Sequence, residues 1–273
     1  MSNSALRYQQ NYPQNKKKRS RQEKQANNEA YIITDKFQEE RKEEVKSKPL
    51  IPMSEKQKRY LELLRDPDVH IIVATGLFGT GKTFLPSAHA ADLLRLGHID
   101  KIIVARPYVQ TGKTSGSKPG TSLEKLRPYV RTMLDTMQQR LGYNNFNNLL
   151  KDGCSGKIEV QELESIRGRS FDEKSWLILD ESQQCDSESL LSVVTRVSDN
   201  CKLVLCGDLA QRDIEGQSGL KWFLDFAKRH NIKGIETVDF NSVDDIVRGG
   251  IVKGIAIGLK KDTEKGIYTP QKQ

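Results

Sequence analysis

The chain has 273 residues, of which 36% are apolar and 29% charged, and it carries a formal charge of +8 at pH 7. It has no run of ~18 apolar residues and no signal-peptide pattern, so a soluble, cytoplasmic protein with no membrane partner is expected. Cys154, Cys185, Cys201 and Cys206 form no zinc-binding set, because five steps along a strand hold Cys201 and Cys206 about 17 Å apart; reduced thiols are expected.

Residues 1–50 are polar, pass through Lys16-Lys17-Lys18-Arg19-Ser20-Arg21 and hold about five of the net positive charges. Too few apolar side chains are present to offset the entropy of ordering. A disordered basic tail is therefore expected over 1–50, then one folded domain over 51–262 and a flexible tail over 263–273. The domain opens with a helix over Glu55–Leu64, started by Ser54-x-x-Gln57 as a capping box. An apolar strand follows over His70–Thr75, and then Gly76-Leu77-Phe78-Gly79-Thr80-Gly81-Lys82-Thr83 leads into a helix over Lys82–Leu96. Pro86 lies inside that helix, removes an N–H that would bond the Lys82 carbonyl, and predicts a local distortion. Next come a strand over Lys101–Ala105, a Gly/Ser/Lys loop, a helix over Ser122–Leu141 and strands over Ile158–Gln161 and Trp176–Asp180. Helix Ser187–Val197, strand Lys202–Cys206, helix Gly219–Lys228, strand Ile235–Phe240 and helix Val243–Leu259 complete the order. Strands alternating with helices predict an α/β fold, a mostly parallel sheet covered by helices on both faces, with ligands at the carboxyl ends of the strands.

The Gly76–Thr83 segment has the spacing of a phosphate-binding loop. A buried strand delivers the chain to a turn where Gly76, Gly79, Thr80 and Gly81 let backbone N–H groups converge on an anion, and the next helix adds its positive N-terminal dipole. Lys82 then reaches the β- and γ-phosphates of ATP and Thr83 holds Mg²⁺ through its hydroxyl. A second Gly-Lys-Thr at Gly112–Thr114 has Pro107 five residues upstream and no feeding strand, and is rejected. Asp180 and Glu181 end the apolar strand Trp176–Asp180. A carboxylate there can hold Mg²⁺ opposite Thr83, and the adjacent Glu181 can deprotonate water for in-line attack, so the pair points to hydrolysis. The strand Lys101–Ala105 intervenes, which suits an ATPase with a catalytic Glu better than a simple nucleotide kinase.

Gly207-Asp208-Leu209-Ala210-Gln211 is similar to the γ-phosphate sensor of superfamily 1 helicases, with Gln211 as the reporting side chain. More broadly, the chain resembles the PhoH family over Pro52–Leu259. The resemblance is carried by Ser54–Tyr60, Ile103-Val104-Ala105-Arg106-Pro107, Arg167-Gly168-Arg169-Ser170, Ile178–Gln183, Gly207–Gln211, Ser218-Gly219-Leu220 and Asp244-Asp245-Ile246-Val247-Arg248. It departs at Ser115, Ser117 and Lys118, where the family has apolar residues. The resemblance implies a RecA-like P-loop NTPase core, ATP and Mg²⁺ as ligands, and a link to RNA metabolism. It also assigns Gln57 to the adenine edge, although the capping box competes for the same side chain. Arg106, Arg167 and Arg169 are open between nucleotide, nucleic acid and solvent.

The leading expectation is an ATPase coupled to RNA or single-stranded nucleic acid. A nucleotide-gated binding protein with little turnover and a nucleotide kinase are the alternatives. The basic tail is either a nucleic-acid contact or a solubilising segment. One RecA-like domain leaves an ATP site half built, so a homo-oligomer is expected, a hexamer by resemblance. Arg248, with Arg196 as second candidate, is then the arginine donated to a neighbour's site.

Overall fold

The computed structural model describes residues 48–107, 121–150, 156–166, 168–171, 174–211 and 217–267, all within one compact unit over Lys46–Gln273. The Gly112–Gly120 loop, Cys154, Arg167 and almost all of the expected basic tail lie outside the described residues.

In chain order the elements are α1 (Glu55–Arg65), β1 (Ile71–Gly76), α2 (Phe84–Arg95), β2 (Lys101–Arg106), α3 (Ser122–Leu141), α4 (Tyr143–Leu149) and β3 (Ile158–Glu162). They continue with α5 (Leu163–Ile166), β4 (Ser175–Leu179), α6 (Ser187–Val194), β5 (Cys201–Gly207), α7 (Gly219–His230), β6 (Ile235–Phe240) and α8 (Gly249–Glu264). The strands form one six-stranded sheet in the order β3-β2-β4-β5-β1-β6, and every pairing is parallel. This is the expected RecA-like core.

Because successive side chains of a strand point to opposite faces, each strand feeds two cores. Ile72, Ala74, Ile102, Val104, Ile178 and Val204 pack with α1, α2, α3 and α4. Val73, Ile103, Leu177, Leu179, Leu203 and Leu205 pack with α5, α6 and α7 on the other side. Burial on both faces explains why these strands read as unbroken apolar runs. The parallel pairing puts the carboxyl ends of the strands along one edge, and residues at or after the ends of β1, β2, β4, β5 and β6 line one cleft there.

Three local outcomes differ from expectation. The helix expected over Val243–Leu259 is interrupted: a 3-10 turn over Val243–Asp245 is closed by reciprocal Ser242–Asp245 capping, the chain extends at Ile246, and α8 starts only at Gly249. The reason is tertiary, since the Val247 and Arg248 N–H groups both donate to the Gly79 carbonyl, at 3.0 and 3.2 Å. Second, α8 runs on to Glu264, into the stretch expected to be a flexible tail. Third, α2 begins at Phe84, which puts Pro86 in its first turn, where helical donors lack partners anyway. The Lys82 carbonyl that Pro86 leaves open is taken up instead by the Tyr60 hydroxyl at 3.0 Å and the Cys206 thiol at 3.3 Å. No helix among the described residues is long and apolar enough to cross a membrane.

Candidate nucleotide-binding site

The carboxyl ends of β1, β2, β4 and β5 line a cleft of about 970 Å³. Gly76 leaves β1 at φ 114°, in the left-handed region, and a Cβ there would stand 2.3 Å from the Phe240 carbonyl oxygen. Only glycine fits. Gly79 and Gly81 also have positive φ, so the loop turns its backbone inward from both ends. Thr80 is fully buried and donates its hydroxyl to the Leu77 carbonyl at 2.9 Å, bracing the turn from within.

Lys82 donates to the Gly76 and Leu77 carbonyls, both at 2.6 Å, which stretches its side chain across the mouth of the loop. Burial pulls its ammonium below the ordinary lysine value, while Asp208, Asp180 and Glu181 pull it back up. Thr83 occupies the N-cap position of α2 without capping it. A threonine there ordinarily bonds a backbone N–H. Here its hydroxyl donates to Asp180 Oδ1 at 2.9 Å. Asp180 has a raised pKa because burial and then the neighbouring Glu181 disfavour its charge, against the relief given by Arg106 and Thr83. Thr83 and Asp180 thus present hard oxygens side by side, which fits Mg²⁺, an ion that takes one or two protein oxygens and completes its shell with phosphate and water. Elsewhere among the described residues, no cluster of three or more His, Cys, Asp or Glu side chains is placed to hold a metal.

Glu181 sits in the left-handed region at φ 53° and ψ 36°, an uncommon place for a residue with a side chain. Both of its oxygens are engaged: Oε1 lies 3.4 Å from Arg106 Nη2, and Oε2 accepts from Gln183 Nε2 at 2.6 Å. Gln183 is fully buried, and the same Nε2 reaches the Gln211 carbonyl at 3.1 Å while Oε1 accepts the Asp208 N–H at 3.1 Å. One amide therefore ties the carboxylate strand to the Gly207–Gln211 loop. The sequence contained Gln183 within a motif but gave no sign of this link. Gln211 lines the cleft, and its own amide donates to Asp208 Oδ2 at 2.8 Å.

Gln57, expected at the adenine edge, lines the cleft with its amide already engaged by the backbone. Its side chain is 3% exposed, its Nε2 donates to the Thr80 carbonyl at 2.9 Å, and its Oε1 accepts the Met53 N–H at 2.8 Å. Half of the expected capping box forms, with the Gln57 N–H on Ser54 Oγ at 3.2 Å. The amide thus splints the start of α1 to the phosphate loop. Arg248, expected to act in a neighbour's site, lines its own chain's cleft, and a Cβ at Gly79 would stand 3.0 Å from the Arg248 Cβ. The cause is topological: β6 pairs with β1, so the chain that leaves β6 returns to the phosphate loop. Arg196, the second candidate, is exposed just after α6 and does not line the cleft. Of the other arginines, Arg169 donates to the fully buried Glu159 at 2.6 Å and lies over Phe171, away from the cleft. Arg106 is in the cleft, between Asp180 and Glu181.

The site therefore gathers a loop shaped to cradle phosphate, an oxygen pair that fits a metal ion and a carboxylate beside them. Five cationic side chains (Lys48, Lys82, Arg106, Arg140, Arg248) line the cleft against three anionic ones (Asp180, Glu181, Asp208), a balance that suits a polyphosphate. The strand order adds a further point. β5 lies between β1 and β4, so the loop after β5 faces the phosphate end from the middle of the site.

A model of the PhoH-like protein family matches residues 49–258. The chain is 32% identical over 230 residues to a PhoH-like protein of Bacillus subtilis, covering 84% of this chain and 69% of that one. It is 33% identical over 224 residues to a PhoH-like protein of Mycobacterium tuberculosis (81% and 61% covered) and 34% identical over 166 residues to Protein PhoH of Escherichia coli (61% and 46%). It thus spans between 46% and 69% of the length of these relatives. Among solved structures it is similar to the large terminase of a thermophilic bacteriophage in complex with ADP, with a TM-score of 0.49 and 18% identity over 80% of this chain and 50% of that one. It is also similar to the UvsW helicase of bacteriophage T4, with a TM-score of 0.43 and 14% identity over 71% and 61%. Since the matched stretch takes in every element that builds the cleft, from α1 into α8, this chain belongs to the PhoH-like protein family.

Proposed function

We propose that the protein binds ATP with Mg²⁺ in this cleft and hydrolyses it, and that turnover is coupled to the binding or remodelling of RNA or single-stranded nucleic acid. The observation that carries the reading is the Thr83–Asp180 contact with Glu181 next in the chain, since it joins the phosphate loop to a metal-binding carboxylate and a water-activating one. Mg²⁺, when bound, neutralises charge on the β- and γ-phosphates. Thr83 and Asp180 would hold the ion, Lys82 would exchange its two carbonyl partners for phosphate oxygens, and Glu181 would accept the proton of the attacking water. A kinase would instead need an acceptor pocket in place of that carboxylate.

The engagement of both Glu181 oxygens favours one second reading, a nucleotide-gated nucleic-acid binder with little turnover. Phosphate release from ATP, measured with and without single-stranded RNA or DNA, separates the two. Stimulation by either polymer supports coupling; nucleotide-dependent polymer binding without phosphate release supports the second reading. Deleting Met1–Val45, a stretch whose sequence holds no nucleotide-binding motif, is expected to leave turnover unchanged while flattening the salt dependence of nucleic-acid binding.

A further inference from the structure

Arg106 ends β2, directly beside the carboxylate strand, and the Asp180 N–H donates to the Ala105 carbonyl at 3.0 Å, which locks the register of the two. Its guanidinium stands between both carboxylates: Nη1 is 3.5 Å from Asp180 Oδ2 and Nη2 is 3.4 Å from Glu181 Oε1. The other Asp180 oxygen is the one that meets the Thr83 hydroxyl, so a single carboxyl group separates the guanidinium from the metal-binding pair. From below, Nη1 donates to the Tyr129 carbonyl at 3.0 Å and the group lies 5.7 Å from the Tyr129 ring centroid, contacts that hold the side chain in the cleft without either carboxylate.

The lengths of these contacts matter. Charge-assisted bonds between arginine and carboxylate close to about 2.7–2.9 Å, and pairs looser and partly exposed contribute little. Arg106 is shared between two acids and tightly bonded to neither. A tetrahedral terminal phosphate, which offers pairs of accepting oxygens and more negative charge, is a stronger partner for its planar fork. Of the other cations in the lining, Lys82 is already bonded across the loop, and a phosphoryl group in transit spreads charge over three equatorial oxygens, more than one ammonium can match.

We propose that Arg106 is a catalytic arginine supplied in cis, poised on the Asp180 and Glu181 carboxylates and transferred to the terminal phosphate when ATP binds. The transfer does two things. It places a guanidinium on the charge that grows in the transition state, and it releases Glu181 Oε1 to take a proton. In the step itself the water oxygen bonds to the γ-phosphorus, the bond from phosphorus to the β–γ bridging oxygen breaks with its electron pair left on ADP, and the water proton passes to Glu181. Gln183, still bonded to Oε2, keeps the carboxylate in place as Arg106 leaves. Arg106 thus fills, within one chain, the role that a neighbour's arginine was expected to fill.

This rests on ATP hydrolysis at the cleft, and the test separates the two ideas. Full-length parent, Arg106→Ala and Arg106→Lys are compared for kcat, for affinity toward ATP and ADP, and for thermal melting. The expected result is a kcat lower by at least about 100-fold in both variants, an ATP preference over ADP that disappears, and unchanged ADP affinity and melting temperature. Lysine is not expected to rescue, because one ammonium cannot replace the fork. Mixing Arg106→Ala with Lys82→Ala chains is expected to restore nothing, since both groups belong to one site. A parent-like kcat in Arg106→Ala overturns the proposal while leaving hydrolysis intact. So does recovery in the mixture, and so does an equal loss of ATP and ADP affinity, which marks a merely structural arginine. Should the parent bind ATP without releasing phosphate, the hydrolysis reading fails, and the affinity ratio still decides Arg106: its collapse in Arg106→Ala upholds the γ-phosphate contact, its persistence refutes it.

Discussion

Two parts of the cleft lining are built by different means. At the phosphate end, glycines with positive φ set the backbone, Thr80 is fully buried, and Lys82, Thr83 and Gln57 hold the loop through bonds of 2.6 to 2.9 Å. Elsewhere in the lining, Ile51, Met53, Phe84 and Tyr129 are between 45% and 73% exposed. An anion rewards donors that are already aligned, because turning a backbone after binding would cost what the contact gains. A flat base needs only apolar side chains that order on contact. The phosphate end is thus the rigid half and the selective one.

The sharpest way to break this comparison is to disable the rigid half. Lys82→Ala is expected to abolish measurable ATP binding in titration, whereas Glu181→Gln keeps binding and lowers phosphate release by at least about 100-fold, because Glu181 acts only as water attacks. Parent-like hydrolysis by Glu181→Gln would remove the role given to the carboxylate pair.

Gln57→Ala probes the splint between the halves. It leaves the Thr80 carbonyl without its buried donor, a defect of about 1–3 kcal/mol. The loss should appear in denaturant unfolding and should weaken ATP and GTP binding by the same factor. Selective loss of ATP binding would restore the adenine contact that the sequence led us to expect.

A smaller effect is expected for Tyr60→Phe. The hydroxyl caps the carbonyl that Pro86 leaves open, and Cys206, whose thiol is pushed up to about 12 chiefly by burial, stays behind as a weaker donor. A loss of about 1 kcal/mol in stability with an intact cleft is the expected outcome; an unchanged unfolding midpoint would show the thiol to be sufficient.

The subtlest test uses pH. The folded protein raises the Asp180 pKa, chiefly by burial and then by Glu181. Protonated Asp180 therefore favours folding, an advantage present at acid pH and lost as pH rises through the raised value. Without nucleotide, Asp180→Asn is expected to melt above the parent at pH 7, with the gap closing as pH falls toward the ordinary aspartate value of about 3.9. A pH-independent gap would show that charge at Asp180 is not its cause.

Much of this molecule is legible in the chain, and the exceptions are instructive. β6 and α3 begin and end where turn and capping residues place them, Ile235–Phe240 and Ser122–Leu141, because local signals and packing agree there. The α4 helix over Tyr143–Leu149 escaped notice, since its apolar period spans only two turns among Asn residues that are poor helix formers, and its start depends on Gly142 at φ 80°. The break before α8 also escaped, because the hydrogen bonds that straighten Ile246–Arg248 come from Gly79, far away in sequence.

The sequence by itself determined the parallel sheet, the phosphate loop and the identity of the acids. Each depends on local demands: apolar runs for strands buried on both faces, glycines where φ must be positive, carboxylates at a strand end. Tertiary structure alone decided which groups meet. It brought Thr83 to Asp180 across 97 residues, turned Gln57 to the loop backbone, laid Arg248 against its own Gly79 and set Arg106 between two carboxylates. Those choices follow from strand order and from competition among hydrogen-bond partners, and neither leaves a periodic trace in the chain.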